Sequence, residues 1–182
     1  MPKEWIDVAD TAVKIGLGAA ITGVFTYLGV KASSRSEKQK YTLEHKVKLL
    51  EQASEDVETF FRSFDSYISQ VAGVTKHKKQ SNTETAHFTD RQKEVIGEQD
   101  RALAEGVASL ASAISRLRLL KAHHAVEALN EFNIIGKEIR NKIVFAKEVP
   151  TYDEVVAVKA RAREQMKEVH EALADFYEAL QV

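Results

Sequence analysis

The chain has 182 residues, a net charge of -1, 29% charged and 44% hydrophobic residues, two prolines and no cysteine. That balance excludes a disulfide scaffold and gives no global pull toward nucleic acid, and the low proline and high charge match an all-α composition. The length fits one helical domain beyond a short N-terminal segment.

The first element in chain order is the uncharged run Ile15–Val30, followed at once by Lys31, Arg35, Lys38 and Lys40. As a helix, about sixteen residues cover roughly 24 Å, and extension back through Ala12, Val13 and Lys14 brings it near the roughly 30 Å of a bilayer's hydrocarbon. The seven large apolar residues Ile15, Leu17, Ile21, Val24, Phe25, Leu28 and Val30 contribute about 2 to 4 kcal/mol to insertion, which makes a weak single span. Trp5 and Tyr27 sit where aromatic residues meet the interface. Glu4, Asp7 and Asp10 before the run argue against a signal or transit peptide. We therefore expect residues 1–32 to form a tail and a single transmembrane helix, with residues 33–182 as a cytosolic domain. The basic cluster after the span directs the N-terminus out and the C-terminal domain into the cytosol, and Lys31, Arg35, Lys38 and Lys40 toward anionic headgroups.

Ala9, Ala12, Gly16, Ala19, Gly23 and Thr26 follow one another at 3-4-3-4-3 spacing. This is one stripe of small side chains, and in lipid such a stripe permits close backbone approach. It predicts a homo-oligomer with a left-handed crossing near +20°. Asp7, Asp10 and Lys14 lie on roughly the opposite face, with Asp10 and Lys14 spaced as an i, i+4 ion pair.

From Ser36 to Val71 the positions Leu43, Val47, Leu50, Val57, Phe61, Phe64, Ile68 and Val71 keep a 3-4 rhythm, interrupted at Ser54. They predict a long core-facing or coiled-coil helix that Gly73 ends, before a flexible polar loop over about 73–89. Thr89 and Gln92 form a capping box for a second helical stretch reaching about Lys147. Its seam is Ile96, Leu103, Val107, Leu110, Ile114 and Leu117; a bend or break between Lys121 and Gly136 is more economical in a compact bundle, whereas an extended coiled coil needs none. Pro150 stops the chain, and Thr151 with Glu154 caps a last helix whose seam is Val155, Val158, Ala162, Met166, Val169, Leu173, Phe176 and Leu180. The expected fold is thus an N-terminal transmembrane helix followed by a three- or four-helix bundle or coiled coil.

Chemistry-bearing patterns are few. His123, His124, Glu127 and Glu131 have metal-compatible helical spacing, but no second carboxylate-rich helix with Glu-x-x-His motifs accompanies them, so no metal or cofactor is expected. The common hydrolase and nucleotide-binding motifs do not occur. Arg118, four intervening residues and His123 resemble the R-x4-6-H signature of the HEPN family of helical ribonucleases. That resemblance implies a dimer pairing two such motifs around an RNA phosphate. The chain departs from the pattern at Leu119, where the family often has a polar residue, and Arg140-Asn141 has no histidine at the expected distance.

These readings favour a non-enzymatic, single-pass membrane-anchored interaction or scaffold protein. Its expected partners are the lipid bilayer, further copies of itself and an unidentified cytosolic protein, with no nucleic acid. An oligomerising membrane-perturbing effector is the alternative, and the HEPN-like ribonuclease a third reading.

Overall fold

The computed structural model describes residues 37–80 and 87–180. They form four α-helices: α1 Glu37–Gln80, α2 Asp90–Leu120, α3 His123–Arg140 and α4 Tyr152–Ala179, with a π-helical turn Asn141–Phe145 directly after α3. No strand occurs among the described residues. Lys46–Leu180 form the compact helical unit described below, and residues 37–45 of α1 belong to a separate one. No helix among the described residues is long and apolar enough to cross a membrane. The expected transmembrane segment lies outside the described residues.

Side-chain pairs fix the topology. Ser66 bonds Gln99, and Asp56 pairs with Arg116 farther along α2, so α1 and α2 are antiparallel. Phe61 meets Phe132, whereas Phe64 borders Gly136, so α3 runs parallel to α1. His170 reaches Glu58 while Lys159 reaches Ser69, which sets α4 antiparallel to α1. The result is an up-down-up-down four-helix bundle, the arrangement that short connections between consecutive helices favour. At its centre Phe132 is fully buried, with its ring 5.6, 4.7 and 5.0 Å from those of Phe60, Phe61 and Phe64. The expected α1 seam is buried from Val47 to Val71, joined by Phe60 and Tyr67. Every expected seam residue of α4 is buried or packs against the core.

Two local expectations need correction. Gly73 does not end α1, which runs on to Gln80, so the expected loop over 73–89 is helical in its first part. Tertiary contacts override the glycine there. Val74 packs against the core, the buried Thr75 hydroxyl donates to Val71 O at 2.9 Å, and Lys78 Nζ donates to His87 O at 2.7 Å while lying over the Phe88 ring. Burial of these groups outweighs a helix-propensity penalty of about 1 kcal/mol. Val107 is the second correction, because it is exposed and Gly106 takes the buried position. A Cβ at Gly106 would lie 3.0 Å from Ser63 Oγ and 3.1 Å from Ser63 Cβ. The close approach of α1 and α2 therefore turns the glycine inward and the valine out.

The break in the second helical stretch falls at Lys121–Ala122, at the edge of the expected window. Lys121 adopts φ 64°, its N–H donates to Arg118 O, and the Ala122 N–H donates to Leu117 O. This is a Schellman closure with lysine where glycine is usual, reinforced by burial of both Leu117 and Ala122. Both capping boxes form, Thr89 with Gln92 and Thr151 with Glu154.

The second box includes a charge device. Lys142 Nζ lies 2.7 Å from Glu154 Oε1 and the Thr151 N–H donates to Glu154 Oε2, and together they hold the Glu154 carboxyl below the usual carboxylate range. A carboxyl whose pKa is lower in the folded than in the unfolded chain contributes stability above the unfolded value, and that contribution is lost as pH falls through the folded pKa. Glu154→Gln keeps an acceptor for Thr151 but removes the charge. It is expected to cost up to about 1 kcal/mol at neutral pH, limited by the exposure of both partners, and nothing once the parent carboxyl is protonated. Urea titrations of both proteins from neutral pH to pH 3 check this.

Candidate functional site

The described structure places the nominated residues as follows. The stripe Ala9, Ala12, Gly16, Ala19, Gly23 and Thr26, together with Lys31 and Arg35, lies outside the described residues. Lys38 and Lys40 belong to the start of α1, and Lys40 is exposed. Arg118 is exposed in the last turn of α2 and His123 is exposed at the first position of α3, across the Lys121 break. His123, His124, Glu127 and Glu131 share a groove of about 620 Å³ with Glu168, Glu171 and Asp175. Among the described residues, no three histidine or carboxylate side chains gather to hold a metal ion.

The most unusual chemistry lies at the other end of α3. Ile96, Asp100 and Leu103 follow one another at 4-3 spacing on α2, and Phe132, Gly136 and Arg140 at 4-4 spacing on α3, so each apolar seam carries one charge. The bundle brings these charges together: Arg140 Nε donates to Asp100 Oδ1 at 2.5 Å and Nη2 to Oδ2 at 2.9 Å. The carboxylate side chain is only 15% exposed. Its bond to Asp100 raises the already high pKa of the guanidinium, and the fork-on-fork geometry fixes the separation of the two helices at this level.

Behind this pair sits Tyr67 of α1. Its side chain is fully buried, and its hydroxyl has no hydrogen-bond partner among the described residues. Burial pushes the phenol far above its ordinary pKa, the Asp100 charge pushes the same way, and Arg140 pulls partly back. An unpartnered polar atom in a core is uncommon and costly, of the order of 1–3 kcal/mol.

The backbone leaves regular geometry at the same place. After Arg140 the ladder widens to the π turn, closed by the Ala146 N–H donating to Asn141 O at 2.9 Å. Ile143 points inward, and the exposed Phe145 ring lies 5.8 Å from the Arg140 guanidinium carbon. Two residues later Lys147 adopts φ 55°, a left-handed conformation that costs a non-glycine residue about 1–2 kcal/mol. Single π turns and strained backbone concentrate at functional sites.

Between the π turn and α2 lies a cavity of about 440 Å³, lined by His87, Phe88, Lys93, Ile96, Gly97, Asp100, Ile143, Val144 and Lys147. Comparison with protein-family models, curated proteins and solved structures finds no match. What this cavity does is therefore read from its own chemistry. It has largely apolar walls, an ion pair satisfied within the chain at its back, and two lysines among its lining residues. Sequence reasoning missed it, although an aspartate and an arginine each interrupting an apolar seam was a legible signal that the two helices meet there.

Proposed function

We propose that the protein is a single-pass, membrane-anchored helical interaction module that self-associates through its anchor, with the N-terminus outside and the four-helix bundle in the cytosol. The observation that carries this reading is the uncharged run Ile15–Val30, which ends in Lys31, Arg35, Lys38 and Lys40 and leads after six residues into α1 at Glu37. The small-residue stripe from Ala9 to Thr26 supports association of the spans, and exposed Lys40 supports contact with anionic headgroups. In this reading the bundle receives a cytosolic protein partner and catalyses no reaction.

Sodium-carbonate extraction of the full-length protein tests the anchor. The parent is expected to stay in the membrane pellet as an oligomer in mild detergent. An arginine at the centre of a span costs about 2.5–3.5 kcal/mol, comparable with the whole insertion energy of this run, so Ile21→Arg is expected to release the protein. Gly16→Leu with Gly23→Leu is expected to leave the protein in the pellet but as a monomer. Free extraction of the parent would end the membrane reading.

A further inference from the structure

We propose that the cavity between α2 and the π turn binds an amphiphilic carboxylate, a small organic acid whose hydrocarbon part lies on Phe88, Ile96, Ile143 and Val144 and whose carboxylate meets Lys147. At about 440 Å³ it is within the range of small-molecule sites, and like them it pairs apolar walls with a few polar groups.

Charge selects the anion. Among the described residues Asp100 is the one carboxylate lining the cavity, and its charge is already met by Arg140, which donates to both its oxygens. Lys93 is shared with exposed Asp90 at 2.9 Å. Lys147 makes no ion pair among the described residues, and its left-handed backbone sets it beside the π turn. The surplus charge of the described lining is positive, and a monoanion satisfies it.

Gly97 offers a probe of the cavity. Gly106 and Gly136 pack closely, since a Cβ would meet Ser63 at 3.0 Å in one case and Phe64 at 3.5 Å in the other. At Gly97, as at Gly73 of α1, a Cβ would meet nothing within 4 Å among the described residues, and Gly97 alone of the two lines the cavity. A larger side chain placed there enters open space beside Ile96 and Asp100 without displacing a described neighbour.

The test uses the full-length protein in lipid nanodiscs with labelled isoleucine and valine methyls, titrated with octanoate and, separately, with octan-1-ol. Octanoate is expected to shift the methyls of Ile96, Ile143 and Val144 saturably and to bind more tightly than the neutral alcohol. Gly97→Leu places its side chain in the open space, keeps the helix, and is expected to remove the octanoate shifts. Lys147→Gly suits the left-handed backbone and is expected to weaken octanoate about threefold, as for an exposed ion pair, while leaving octanol unchanged. Thermal melts of both variants establish that they fold. Absence of cavity shifts in the parent, unchanged binding in folded Gly97→Leu, or octanol binding as tightly as octanoate would overturn the assignment.

Discussion

Replacing Phe132 by alanine is expected to cost about 3–5 kcal/mol and to lower the melting temperature by roughly 10 °C or more. The ring is fully buried on α3 and stands edge-on or tilted to Phe60, Phe61 and Phe64 of α1, the last of which also borders Gly136. Its loss opens a cavity shared by two parallel helices whose contact is built around that ring, and the surrounding aromatic rings are too large to collapse into it. Each aromatic pair also adds about 0.5–1.5 kcal/mol beyond burial. Phe132→Leu, which keeps most of the volume, is expected to recover about half of the loss. Denaturant melts of the three proteins check the ordering, and a cost below about 1 kcal/mol for the alanine variant would show that α3 does not pack on α1 as described.

Arg140→Met is expected to be nearly as damaging, at about 3 kcal/mol, through electrostatics instead of packing. The methionine retains much of the apolar stem but leaves Asp100, 15% exposed and adjacent to the buried Tyr67, without its bidentate partner. Removing one member of such a pair strands the other charge in a poor solvent, whereas replacing both with apolar groups is often neutral. The double variant Arg140→Met with Asp100→Leu is accordingly expected to recover most of the parent stability. A double-mutant cycle measures this directly. If the two single losses simply add, the residues do not act as a pair. The double variant also removes the two charges that act on the Tyr67 phenol.

The elements that were legible in the sequence share a local cause. Thr89 with Gln92 and Thr151 with Glu154 are capping boxes complete within four residues, and both form. The 3-4 spacing of Val47 to Val71 and of Val155 to Leu180 needs only the helical period to show which face is buried. Gly73 and Val107 misled because a local preference of about 1 kcal/mol was set against contacts made by residues distant in the chain. Val74, Thr75 and Lys78 carry α1 past the glycine by packing against the core and reaching His87, while Ser63 and Phe60 select Gly106 over its larger neighbour.

The cavity shows the same division. Its apolar walls derive from seam residues that periodicity identifies, such as Ile96, yet the cavity itself exists because the ladder after Arg140 widens into a π turn and Lys147 turns left-handed. The π turn has no marker in its own residues, since Asn141–Phe145 carries no glycine or proline, whereas Lys147 turns left-handed at the helix end that Pro150 marks in the sequence.

By itself the sequence determined an all-helical chain, the starts of α2 and α4 and most of each apolar face, because caps and helical periodicity act over three or four residues. Only the tertiary structure decided the order of packing, the pairing of Asp100 with Arg140 across 40 positions, the burial of Tyr67 and the cavity beside them. These depend on which helix lies against which. That choice is made by summed burial of large side chains around Phe132, which outweighs the tenths to about 1 kcal/mol that any local signal contributes.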